Sequence, residues 1–305
     1  MFSLIVALLM LFIFGVNNGA VIKSSLVSSG LQNQRKASLL IASGLILGSV
    51  LEGWKMRRIQ FVSPSVNLYA FQIILVALLV MLLLSLLNSP ASLAQIFFSS
   101  ALGILLVQHA QINFSLSFEI IFSWFLTPFL SILLSYFVYK LTLMVTQKFC
   151  LLSITAFSKL ITLSAVFYSS YVLGANNIGL ISAFYQEGLI TSFLFSFFAS
   201  IGIYFSRKMT KTLGEDLIVI SSVGVSVSMF SASFLVWVFT QFGFPASVTA
   251  SVMSSVIGVG LASKVRVFNL KTLFFVTIVS WGLSALLGLF FGNLAGIYTE
   301  FGKKA

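Results

Sequence analysis

The sequence predicts an all-α polytopic membrane protein of about ten membrane-embedded segments, arranged as two inverted repeats with re-entrant helical hairpins. Three observations carry that reading. The chain is 59% hydrophobic and 8% charged over 305 residues, with a mean hydropathy of +1.11, which excludes an ordinary water-soluble domain. Its apolar residues come in long runs near the length that crosses hydrocarbon as a helix, and they do not alternate with polar residues as strands of a membrane barrel would. Several short polar motifs occur twice, in the same order, about half a chain apart.

The runs are 2–16, 37–51, 64–87, 91–107, 120–139, 150–174, 188–205, 217–241, 244–263 and 272–298. The first has no basic residues before it, so it reads as a retained helix rather than a cleaved signal peptide. The runs 91–107 and 244–263 lie beside Pro90-Ala91-Ser92 and Pro245-Ala246-Ser247. Proline at a helix start with serine two positions on marks an N-terminus rich in free N–H groups. Such hydroxyls and N–H groups, without basic side chains, can bind an anion that must later be released; close packing of small residues between membrane helices is the alternative reading.

Basic clusters separate the runs: Arg35-Lys36, Lys55 with Arg57-Arg58, Arg207-Lys208 with Lys211, Lys264 with Arg266, and Lys303-Lys304. The net charge of +11 therefore points to lipid head groups, not nucleic acid. The clusters at 55–58 and 207–211 occupy corresponding places, so inversion would put them on opposite faces and the orientation stays open.

The acidic residues are Glu52, Glu119, Glu187, Glu215, Asp216 and Glu300, mostly at run edges, where they read as interface charges. Glu215-Asp216 follow Gly214 at an expected helix start, where the dipole favours them. No run has an acid at its centre, which argues against a carboxylate proton relay or a cation site within the membrane. His109, the one histidine, reads as a surface-loop residue, and Cys150, the one cysteine, permits neither an internal disulfide nor a thiolate metal site. With no Ser/His/Asp set, no phosphate-cradling loop and no metal-ligand cluster, an enzyme is not expected.

The duplication rests on four correspondences. Pro90-Ala91-Ser92, Ser99-Ser100 and Gly103 match Pro245-Ala246-Ser247, Ser254-Ser255 and Gly258 at an offset of 155 residues. Ser123-Trp124 matches Ser280-Trp281 at 157, and Lys55-Met56 matches Lys208-Met209 at 153. Gly15-Val16-Asn17-Asn18 returns as Gly174-Ala175-Asn176-Asn177 at 159. The halves are 1–148 and 149–305. An asparagine in hydrocarbon must find a partner, and one copy would read as interhelical hydrogen bonding. Two copies in matched repeats favour a binding site, with the flanking glycines expected to loosen the helix there.

These motifs resemble those of the PiT-type inorganic phosphate transporters, whose members carry a GANDVAN-like and a PVSTTH-like motif once per half. The matches here are GVNN at 15–18, GANN at 174–177, PASLAQ at 90–95, PASVTA at 245–250 and the tryptophans at 124 and 281. The resemblance implies a cell-membrane secondary transporter, usually a homodimer, with no cofactor and with phosphate held near the midplane. Carried over by position, its substrate-binding residues are Asn17, Asn18, Asn176 and Asn177 with Ser92, Ser247 and Thr249. The departures fall on acidic and basic groups. The motif aspartates are Asn18 and Asn177, the motif histidines are Gln95 and Ala250, and two family glutamates align with Leu45 and Met229. Coupling to Na⁺ or H⁺ loses its carboxylates. An amide donor in place of a carboxylate suits a fully ionised anion, so sulfate or another tetrahedral oxyanion is the first alternative substrate. A passive anion pore and a non-transporting scaffold are the others.

Overall fold

The computed structural model describes residues 2–146, 151–185, 188–216, 221–263 and 270–304, and their side chains except those at 151–157, 214–216, 270–276, 280 and 303–304. Cys150, Glu187, Lys264 and Arg266 lie outside the described residues, as do the side chains of Glu215, Asp216, Lys303 and Lys304. All regular structure among the described residues is helical.

The chain begins with α1 (Phe2–Ser28) and α2 (Gln34–Glu52), which continues as a 3₁₀ arm, Gly53–Val62. A 3₁₀ turn, Val66–Tyr69, leads into α3 (Ala70–Leu86), α4 (Leu93–Val107) and α5 (Phe114–Thr146). Then come α6 (Leu151–Leu173), a π-helical turn at Gly174–Ile178, α7 (Gly179–Ser182), α8 (Leu189–Phe205) and α9 (Arg207–Asp216). Last are α10 (Ser222–Gln241), α11 (Val248–Ser263) and α12 (Leu270–Lys304).

Among the described residues, each of the ten apolar runs falls on a helix of its own. Six helical stretches among the described residues are long and apolar enough to cross a membrane: Phe2–Ser28, Gln34–Val62, Val66–Leu86, Phe114–Thr146, Ser222–Gln241 and Thr277–Gly302. α8 and α9 qualify together as a pair bent by 64°. The chain is therefore a multi-pass membrane protein. α4 and α11, at 15 and 16 residues, extend only about 23 Å at 1.5 Å per residue, short of a hydrocarbon core of about 30 Å.

Helices pair across the two halves of the chain: α1 with α8, α2 with α6, α4 with α12 and α5 with α11. Lipid gives helices no hydrophobic reason to associate, so close backbone approach has to do the work. Glycine supplies it at matched positions. Gly15 faces the Ala199 carbonyl and Gly202 the Phe12 carbonyl across α1 and α8. Gly174, in the π turn that follows α6, faces the Leu45 carbonyl of α2, and Gly48 of α2 faces the Tyr171 carbonyl of α6. A Cβ at any of the four would run into the facing backbone oxygen.

Three local expectations are corrected. Glu215 and Asp216 do not open a helix: α9 ends at Asp216, and the next helix starts after Ser221, whose hydroxyl accepts from Gly224 N at 3.2 Å. α1 runs unbroken through Gly15 and Asn17-Asn18, so the first motif is not loosened; the second sits in the π turn. Glu52 is more than an interface charge. It accepts from Trp237 Nε1 at 3.1 Å and Gln241 Nε2 at 2.9 Å on α10, and pairs with Lys55 at 3.1 Å.

Candidate functional site

Two helix–turn–helix units, α3–α4 and α10–α11, are built alike. α3 closes on Asn88 (φ 52°) and α10 on Gly243 (φ 69°), left-handed residues that asparagine and glycine tolerate. Ser89 N donates to Leu84 O at 2.9 Å and Asn88 N to Ser85 O at 3.1 Å. Phe244 N donates to Phe239 O at 3.0 Å and Gly243 N to Thr240 O at 2.9 Å. These are the paired bonds that satisfy the last carbonyls of a helix.

The first asparagine of each motif clamps the turn of its own half. Asn17 Nδ2 donates to Ser85 Oγ and to Ser89 O, both at 3.0 Å, while its Oδ1 accepts from Ala91 N at 2.8 Å. Asn176 repeats the set with Thr240 Oγ1 at 2.8 Å, Phe244 O at 3.0 Å and Ala246 N at 3.2 Å. Its Nδ2 also lies 3.7 Å from the sulfur of buried Met56. Both amides are occupied by the turns they hold.

The second asparagines are different. Asn18 Nδ2 donates to Ala91 O at 3.1 Å, but its Oδ1 is buried without a partner. Asn177 is buried, and its Nδ2 has no partner.

Thr249 Oγ1 donates to the same Ala91 carbonyl at 3.1 Å, which brings the second turn unit to the first. A cavity of about 10 Å³ opens there, lined by Pro90, Ala91, Ser92, Ser247, Thr249, Ala250, Met253, Thr277 and Trp281; it has room for about one water. The N-termini of α4 and α11 both reach it. Their first in-helix bonds are Ile96 N to Ser92 O and Ser251 N to Ser247 O, each at 3.0 Å, so the preceding N–H groups lie outside the ladder. Ala250 N is bound by Ser247 Oγ at 3.2 Å, and Ser92 N donates to Ser284 Oγ at 3.0 Å. No charged side chain lines the cavity, so its polarity comes from hydroxyls and helix ends. The candidates Ser92, Ser247 and Thr249 thus meet at one place, and Asn18 joins them through Ala91.

Several contributors were not legible as site residues. Gln95, where the resembled motif has histidine, is fully buried. With its amide assigned to satisfy both ends, it donates to Ser92 Oγ at 3.2 Å and to Trp281 O at 3.1 Å, and accepts from Trp281 Nε1. Trp124 Nε1 donates to Pro245 O at 3.0 Å. Each motif tryptophan therefore holds the turn unit of the other half. Arg58 grips the second turn from outside, donating to Phe242 O at 2.9 Å and lying 4.7 Å above the Phe244 ring; only its place in a basic cluster marked it. Lys23 is buried in α1 and donates to Ile203 O at 3.0 Å and Ser206 Oγ at 3.4 Å, satisfying the end of α8 at its bend into α9. Leu45 and Met229, the positions aligned with family glutamates, are fully buried apolar residues. Among the described residues, no group of three His, Cys, Asp or Glu stands together as a metal site.

No protein-family profile matches the chain. A candidate phosphate permease of Methanocaldococcus jannaschii is 24% identical over 298 residues, covering 95% of this chain and 94% of its own length. A solved structure of the sodium-dependent phosphate transporter superposes with a TM-score of 0.83 over 99% of this chain and 100% of its own, at 20% identity. The chain shares the fold of that solved structure. The resemblance carried by the paired motifs thus extends along nearly the whole backbone, and both relatives are named for transport rather than catalysis.

Proposed function

We propose that the chain is a secondary transporter that moves inorganic phosphate by alternating access between two inverted halves, 1–148 and 149–305. One observation carries the reading. The N-termini of α4 and α11, one from each half, open with Ser92, Ser247 and Thr249 on one neutral cavity, and corresponding asparagines clamp the turns behind them. Helix N-termini favour anions, and a site without a fixed cation can let the anion go. Asn18 and Asn177 complete the site, whereas Asn17 and Asn176 position it. A cavity of about 10 Å³ is too small for a tetrahedral oxyanion, so one unit must move aside to admit it and the other to release it. Both relatives are named for phosphate. The expected setting is a homodimer in the lipid bilayer of the cell membrane.

The test is counterflow of radiolabelled phosphate into proteoliposomes preloaded with unlabelled phosphate. Saturable counterflow, strongly reduced by Ser247→Ala with Thr249→Val, is the expected result. Phosphate flux no greater than in empty liposomes refutes the proposal.

A second reading, facilitated diffusion without a coupling cation, is favoured by the apolar burial of Leu45 and Met229. It predicts uptake that stops at equilibrium under every Na⁺ or pH gradient. Accumulation against the phosphate gradient excludes it.

A further inference from the structure

The two second asparagines leave opposite halves of their amides without partners. Asn18 lacks a donor for its carbonyl oxygen and Asn177 an acceptor for its nitrogen, and the two positions correspond, 159 residues apart. Asn18 cannot turn its amide the other way at no loss. The Ala91 carbonyl can only accept, so the amide nitrogen must face it, at 3.1 Å. The same carbonyl receives Thr249, and both Ala91 and Thr249 line the cavity. The Asn18 amide is therefore held behind Ala91, a residue of the cavity wall, with its acceptor end without a partner. A buried acceptor without a donor is unfavourable, and a ligand that brings the donor resolves it.

We infer that the Asn18 carbonyl selects a protonated tetrahedral oxyanion, phosphate, over a fully ionised one, sulfate. The inference rests on the phosphate-transport reading and names its discriminating residue. Phosphate near neutral pH presents at least one O–H as well as bare oxygens, so it answers both a free acceptor and a free donor. Sulfate presents acceptors only, and against Asn18 Oδ1 it sets oxygen against oxygen. Sites built to hydrogen-bond a ligand hydroxyl reject analogues that lack it far more strongly than apolar pockets reject a misfit. The asparagine keeps the acceptor that an aspartate would offer and removes its charge, so no neighbouring cation is needed to make the oxyanion welcome. Asn18 Nδ2 spends one of its two hydrogens on the Ala91 carbonyl, so it is the unpartnered acceptor, not the donor, that would tell the two anions apart.

The experiment is competition for phosphate binding to the purified full-length protein in detergent. The competitors are phosphate, sulfate and monofluorophosphate, a dianion with fluorine where phosphate has its hydroxyl. Wild type is expected to bind both analogues at least about tenfold more weakly than phosphate. Asn18→Leu is expected to weaken phosphate and bring the three ligands to within about threefold of one another, with folding checked by elution and thermal midpoint. Asn177→Leu is expected to weaken all three alike, because its donor serves any oxyanion oxygen. If Asn18→Leu does not fold, the wild-type comparison with monofluorophosphate still decides. Sulfate or monofluorophosphate binding as well as phosphate overturns the inference. So does an Asn18→Leu protein with an unchanged ratio, including one whose only change is lost Na⁺ dependence, which would make the carbonyl a cation ligand. Wild type that binds none of the three overturns the phosphate-transport reading itself.

Discussion

Asn17 and Asn18 are neighbours with the same side chain and different tasks. Asn17 spends every polar atom on the turn between α3 and α4, as Asn176 does on the turn between α10 and α11. Replacing either by alanine takes the partner from a buried backbone N–H, Ala91 or Ala246, at about 1–3 kcal/mol for the orphaned group. Asn17→Ala and Asn176→Ala should therefore each lower the thermal midpoint in detergent by several degrees. An unchanged midpoint in both would show that the clamps do not hold the turns. Trp124 offers a finer version of the test. Its ring packs edge-on to Phe98 at 5.5 Å and its N–H serves only Pro245 O. Trp124→Phe keeps an aromatic ring at the site and removes the donor, so it should cost about 1 kcal/mol, measured as the same midpoint shift and smaller than for Trp124→Ala.

Helices here meet where glycine lets backbones touch. Gly48→Ala puts a methyl group into the Tyr171 carbonyl, backbone that cannot turn aside, so α2 and α6 must separate. The expected result is a strong loss of monodisperse protein. Gly282→Ala on α12 meets nothing within 4 Å, and alanine is the better helix former by up to about 1 kcal/mol; that variant should be neutral or slightly stabilised. Equal behaviour of the two variants in size-exclusion chromatography and melting would contradict the packing. The 3₁₀ arm acts on a neighbouring element in another way. Arg58 is 42% exposed and its pairing with Glu119 at 3.4 Å is of little worth in water, but its bond to Phe242 O closes the end of α10. Arg58→Ala should raise amide exchange over residues 239–246, read by mass spectrometry, and leave the α3–α4 turn at its wild-type rate.

At the scale of the molecule the two halves interleave instead of standing side by side. α4 leans on α12 and α5 on α11, and each motif tryptophan reaches the turn unit of the other half. Neither half can then bury its polar turn alone, where lipid would offer no partner. Residues 1–148 and 149–305 expressed separately should each fail to give stable protein, and co-expression should restore a complex that elutes with the intact chain. A stable, monodisperse single half would refute the interleaving.

Composition and run length alone determined that this chain crosses membranes as helices, because the cost of placing charge in hydrocarbon is written along one dimension. Repetition at offsets near 155 and 159 marked Asn17-Asn18, Asn176-Asn177 and the two Pro-Ala-Ser segments as partners in one arrangement, since two polar copies in apolar sequence are hard to keep without a purpose. The expectation for Glu215-Asp216 failed because a glycine beside acids imitates a helix start, while Ser221 supplies the hydroxyl that caps one. Only the tertiary structure decided which asparagine clamps and which shows a free acceptor, because that depends on what stands opposite each amide. It alone decided that the Ala91 carbonyl receives both Asn18 and Thr249, that Gln95 and Trp281 brace Ser92, and that helices pair across the halves. Hydrogen bonds and glycine contacts between residues more than sixty positions apart obey no local periodicity, so they exist only once the chain has closed on itself.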